Sequence, residues 1–142
     1  MRKVLAVVIC AFVGLPWATA SGRAAGPRIT DGIVIPSADG TAVVATLMLP
    51  GEAGGDHPVP AVLETHGWGG HRERAATGIL AELIERGYAV LTWDSRGFGE
   101  SGGEANVGAP GFEVSDAKAL LDYLSKRRDI LQDGPGDRAW AG

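Results

Sequence analysis

The stretch Asp94-Ser95-Arg96-Gly97-Phe98-Gly99-Glu100-Ser101-Gly102-Gly103 satisfies two chemical signatures at once. Gly99-x-Ser101-x-Gly103 has the spacing of a turn that presents a nucleophilic serine. Gly97-x-Gly99-x-x-Gly102 has the spacing of a loop that cradles a dinucleotide pyrophosphate. A second stretch, Thr65-His66-Gly67-Trp68-Gly69-Gly70, sets closely spaced glycines behind a histidine. Glu64, His66 and His71 are metal-ligand types, but their spacing matches no zinc template.

The elements around these residues decide between the signatures. Ile33-Val34-Ile35 and Val43 to Leu49 are β-branched and apolar, and Asp39-Gly40 between them is a hairpin signal. Residues 51–60 carry Gly and Pro without periodicity, which predicts a loop. Residues 61–66 read as a short buried strand. Ala75, Ile79, Leu83 and Ile84 keep helical spacing, and Gly87 supplies the stop. Residues 88–94 predict the next strand, and 95–111 a long Gly-rich loop. A helix follows, with Val114, Ala117, Leu121 and Leu124 on one stripe and Lys118, Asp122 and Lys126 away from it. Ala139-Trp140-Ala141 reads as the start of another strand. Strands alternating with helices after an antiparallel hairpin predict an α/β fold with a mostly parallel sheet covered on both faces.

Neither signature survives this placement. A pyrophosphate sits on a helix N-terminus in the first βα turn, whereas residues 103–111 separate Gly102 from its helix and the turn is a later one. A nucleophilic serine needs a sharp strand-to-helix turn, and its histidine follows it along the chain on this kind of sheet. Here His57, His66 and His71 all precede Ser101. The stretch suits a loop closing a buried strand, with glycines allowing positive φ and Asp94 and Arg96 tying it down by charge-assisted hydrogen bonds. An ordinary surface loop is the plainer alternative.

Arg2-Lys3, the apolar run 4–15 and Ala18-Thr19-Ala20 give the three regions of a signal peptide, so residues 1–20 are expected to be cleaved. The run is shorter than the roughly 20 residues a membrane span needs. Cleavage removes Cys10, the one cysteine, so neither a disulfide framework nor thiol chemistry is expected. It also removes Arg2 and Lys3, leaving 11 of the 13 basic residues against 17 acidic ones, a net charge of −6. That balance argues against nucleic acid and anionic membrane surfaces as partners. Residues 21–28 read as a flexible lead-in and 29–142 as the folded part.

The strand ending in His66-Gly67-Trp68-Gly69-Gly70 resembles the oxyanion loop of α/β-hydrolases. A tight turn after a strand is the bland alternative for this motif alone. Together with 85–103, 112–130 and 136–142, it makes residues 30–142 similar to the X-Pro dipeptidyl-peptidase and cocaine-esterase-like family. The D-x-R-G-x-G-x-S-G-G string is the most specific element. The resemblance implies the N-terminal portion of an α/β-hydrolase catalytic domain, from a secreted or periplasmic serine hydrolase acting on a small-molecule ester or peptide. Trp68 would supply an oxyanion N–H, Gly67, Gly69 and Gly70 would shape the loop, and His66, Asp94, Arg96 and Asp116 would be structural supports. Gly142 would be the first glycine of the nucleophile elbow, so the Ser-His-Asp triad would lie beyond residue 142 and the chain alone is expected to be inactive. No cofactor or metal is implied, because triad chemistry uses none. Trp68 stands where relatives often carry Tyr or Phe, so a side-chain hydroxyl is not available there. A carboxylesterase or dienelactone-type hydrolase, or a non-catalytic hydrolase remnant, are the competing expectations.

Overall fold

The computed structural model describes residues 25–132. The proposed signal peptide, the strand expected at Ala139-Trp140-Ala141 and the elbow glycine Gly142 lie outside the described residues. Four strands form one mixed sheet: β1 (Arg28–Pro36), β2 (Ala42–Leu49), β3 (Ala61–Thr65) and β4 (Ala89–Trp93), in the order β1-β2-β4-β3. β1 and β2 are the predicted antiparallel hairpin, turning at Gly40 with a φ of 84°. β2 runs antiparallel to β4, and β4 pairs with β3 in parallel. Thr30 faces Leu47 but Ile33 faces Ala45, so one extra residue bulges at Asp31-Gly32, where Gly32 has a φ of 71°.

Successive strand residues point to opposite faces, and each face meets one helix. α1 (Gly78–Glu85) closes a small cluster of Met48, Val90, Leu80 and Ile84. α2 (Glu113–Ser125) lays Leu120 and Leu124 on the larger core of Ile35, Val43, Leu47 and Leu91. Past α2 the chain returns to the sheet, where Ile130 makes an isolated parallel bridge to Val59 just ahead of β3.

Both helices depart in part from the stripes expected of them, keeping Leu83, Ile84 and Leu124 inward. On α1 the inward line is Leu80, Leu83 and Ile84, joined by Ala76 just ahead of the helix, while Ala75 and Ile79 are exposed. The helix also starts later than expected, at Gly78, and ahead of it the Glu73 carbonyl accepts a bond from the Thr92 hydroxyl at 2.6 Å. On α2 the buried line is Asp116, Leu120 and Leu124, and Val114 and Leu121 face outward, Leu121 at 53% exposure. The cause is an ion pair. Arg96 lies under α2 and draws Asp116 inward, and residues four and eight positions on follow it onto the same face.

Candidate functional site

Parallel pairing sets Thr65 of β3 opposite Trp93 of β4, so the two following loops leave the sheet side by side. The first is a tight turn. The Gly70 amide donates to the Gly67 carbonyl at 3.0 Å, and Gly69 has a φ of 79°. That is the pattern of a type II β-turn, with Trp68 at the second position and glycine required at the third. A side chain at position 70 is also disfavoured, since a Cβ there would meet the His66 Cβ at 3.0 Å.

His66 joins this turn to the second loop. Its Nδ1 lies 2.7 Å from the Gly67 carbonyl, and its Nε2 accepts the Ser95 amide at 3.1 Å. The two bonds together require the neutral ring with its proton on Nδ1. The Trp68 indole is 76% exposed and meets Phe98 edge-to-face, with centroids 5.1 Å apart. Phe98 meets His66 in the same way at 5.4 Å. These rings, with Gly67, Ser95 and Asn106, line an open cleft of about 100 Å³. Among the described residues, the Trp68 and Gly69 amides have no hydrogen-bond acceptor.

Asp94 is fully buried at the end of β4. Its carboxylate accepts the Arg72 amide at 2.7 Å, the Glu100 amide at 2.9 Å and the Arg72 guanidinium. Burial works to raise the Asp94 carboxyl, but the Glu100 and Arg72 amides and the Arg72 charge outweigh it and hold it below the usual range. Arg72 is itself buried and reaches further. It bonds the Thr46 hydroxyl at 3.1 Å, Asp31 at 3.0 Å and Glu100 at 2.6 Å. Asp31 is held low chiefly by the Thr46 hydroxyl and, against some burial, by Arg72.

Arg96 organises the other side of the loop. It binds Asp116 through two bonds of 2.8 and 2.6 Å and Asp39 at 2.9 Å, and it lies over the Phe112 ring. Its hydrogen bonds to these two carboxylates raise its affinity for the proton further. Gly97 and Gly99 have φ of 78° and 52°, and a Cβ on Gly99 would collide with the Asp94 carboxylate. The Ser101 hydroxyl donates to the Asp94 carbonyl at 2.6 Å and accepts the Val44 amide at 2.8 Å. It ties β2 to the loop and, among the described residues, has no base beside it.

The structure therefore brings His66, Gly67, Trp68, Gly69 and Asp94 to one end of the sheet, and it places Arg96 and Asp116 together beneath the loop. The sequence reading missed Arg72, which stood in the charge run His71-Arg72-Glu73-Arg74 as a lead-in to a helix. Residue type could not separate it from Arg74, which is 47% exposed, because the partners that bury Arg72 lie 22 and 41 positions away.

A family model described as X-Pro dipeptidyl-peptidase (S15 family) matches residues 39–139. The Pseudomonas aeruginosa protein PA2218 is 33% identical over 98 residues, covering 68% of this chain and 26% of that protein. Its crystal structure superposes with a TM-score of 0.60 at 29% identity, over 75% of this chain and 33% of the other. Est1E from Butyrivibrio proteoclasticus, solved with ferulic acid bound, gives a TM-score of 0.58 at 27% identity, over 70% and 39% of the two chains. The chain spans about a quarter of the length of the curated relatives it matches.

Proposed function

Because the chain belongs to the X-Pro dipeptidyl-peptidase (S15) family of α/β-hydrolases, we propose that the Gly67–Gly70 turn is the oxyanion loop of a serine hydrolase. Acyl transfer builds negative charge on the substrate's carbonyl oxygen, and preorganised N–H groups stabilise it as it forms. The observation that carries the reading is the Trp68 amide, which has no acceptor among the described residues and sits in a glycine turn at the C-terminal end of the sheet. Gly67 and Gly69 shape that turn. The second donor on such a sheet follows the nucleophilic serine, and we place that serine, the acid and the histidine in sequence beyond residue 142.

The substrate is a small-molecule ester or peptide. The Est1E neighbour, solved with a carboxylic acid bound, supports an acyl substrate of either kind. The same reading has the protein exported with residues 1–20 removed, on the Arg2-Lys3, apolar-run and Ala18-Thr19-Ala20 pattern. Mass spectrometry of exported protein is expected to find Ser21 at the N-terminus, and recovery of intact Met1 overturns that part.

Proline is favoured at the second position of a type II turn, so Trp68→Pro deletes the amide hydrogen while keeping the turn. In the complete gene product, assayed on a p-nitrophenyl ester, kcat is expected to fall by about 10²–10³-fold. Trp68→Phe, which keeps the amide, is expected to stay within a few-fold of the parent. If Trp68→Phe falls as far as Trp68→Pro, the indole is the working group instead. Absence of both turnover and fluorophosphonate labelling in the complete product identifies a non-catalytic remnant.

A further inference from the structure

We propose that Arg72 is a positioning residue for the oxyanion turn, fixing the Trp68 amide by clamping the outgoing end of that turn onto Asp94. The inference rests on the reading of Gly67–Gly70 as the oxyanion loop. Apart from the Trp68–Phe98 ring contact and the His66–Gly67 bond, the turn has little else to hold it. Gly67, Trp68 and Gly69 are exposed, and the Gly70–Gly67 bond is internal to it. Its pose is set by what grips the two ends, and both grips fall on consecutive residues after β4. At the entry, the His66 Nε2 accepts the Ser95 amide at 3.1 Å. At the exit, the Arg72 amide donates to Asp94 at 2.7 Å, and the same residue's guanidinium binds the second oxygen of that carboxylate.

The exit grip is the stronger one. Asp94 and the Arg72 side chain are both inaccessible to solvent, so neither charge is screened by water. Arg72 is fixed in turn from β1 by Asp31, from β2 by Thr46 and from the loop by Glu100. A planar fork can hold these directions together, whereas a lysine is a point charge that can satisfy one of them well. A displacement of about 1 Å at a catalytic group can cost on the order of 10²-fold in rate. Loss of the fork is therefore expected to appear in kcat.

The test uses the complete gene product with Arg72→Lys, which keeps the charge, and the pair Arg72→Met with Asp94→Asn, which removes both buried charges together. Kinetics on p-nitrophenyl butyrate give kcat and KM, thermal unfolding reports the fold, and amide hydrogen exchange follows the peptide spanning residues 65–72. Glu82→Gln, in the exposed pair with Arg86 on α1, is the control. The expected result is a kcat at least 10-fold lower in Arg72→Lys and 30-fold lower in the double variant. KM stays within threefold, and exchange in 65–72 is accelerated while α2 keeps its protection. Parental kcat in folded Arg72→Lys and double variants, with unchanged exchange in 65–72, reduces Arg72 to a structural ion pair and overturns the proposal. If Trp68→Pro is also without effect, the oxyanion reading falls first. If the product hydrolyses nothing, the exchange arm alone decides whether Arg72 fixes the turn.

Discussion

Ser101 sits in a G-x-S-x-G string, yet both capacities of its hydroxyl are taken by main-chain groups, the Asp94 carbonyl and the Val44 amide. Removing it leaves a partly buried N–H without an acceptor, a loss of about 1–3 kcal/mol. Ser101→Ala is therefore expected to lower the unfolding free energy by that amount in a denaturant titration. It is also expected to leave fluorophosphonate labelling of the complete gene product intact. Loss of labelling in a protein that still unfolds cooperatively would restore Ser101 as a nucleophile. The neighbouring glycine is fixed for a different reason: Gly99 packs directly on the Asp94 carboxylate at a φ of 52°.

At the level of elements, the strands were legible and the helix faces only in part, through Leu83, Ile84 and Leu124. Val43 to Leu49 is apolar except for Thr46 because β2 is central and buried on both sides, and the Asp39-Gly40 signal marks a real turn with the Thr41 amide on the Asp39 carboxylate at 2.9 Å. β3 and β4 were likewise readable as short apolar runs. A helix containing both Leu120 and Leu121 offers two faces of similar hydrophobicity, and apolar spacing cannot choose between them. Arg96 makes the choice by burying Asp116, so the polar pair sets the rotation and the leucines comply. The candidate turn was legible because glycines at 67, 69 and 70 announce close backbone geometry. Its anchors were hidden, since Arg72, Asp31 and Asp94 meet only after the sheet has formed.

Taken whole, the molecule joins its segments by carboxylates whose proton affinity is depressed in the folded state. Asp31 and Glu100 are held low first by hydrogen bonds from Thr46 and Arg72 respectively, and Asp39 first by Arg96. In Asp94, bonded amides and Arg72 prevail over burial. Each binds a proton more weakly folded than unfolded, so protonation favours the unfolded chain. The stability they contribute is present above the ordinary carboxylate pKa of about 4 and is lost as pH falls through their lower folded values. Circular dichroism from pH 7 to 2 is expected to show a plateau down to about pH 5 and then loss of structure. Asp94→Asn is expected to lower the plateau and flatten that acid limb. A melting temperature independent of pH down to 2 would contradict this account.

The extra residue at Asp31-Gly32 has a consequence for how this strand can change by descent. Side chains on a strand alternate, so one added position exchanges inside for outside from there onward. Before it, Asp31 lies on the face where Thr46 and Arg72 wait; after it, Ile33 and Ile35 lie on the opposite face, against the α2 core. A single strand thus supplies a charge to one layer and grease to the other. Losing the Gly32 codon would leave Asp31 opposite Thr46 and Ile33 opposite Ala45, so the strand can shed its extra residue without exchanging the two layers. At this one point β1 can vary in length by a residue while the facing of its neighbours stays fixed.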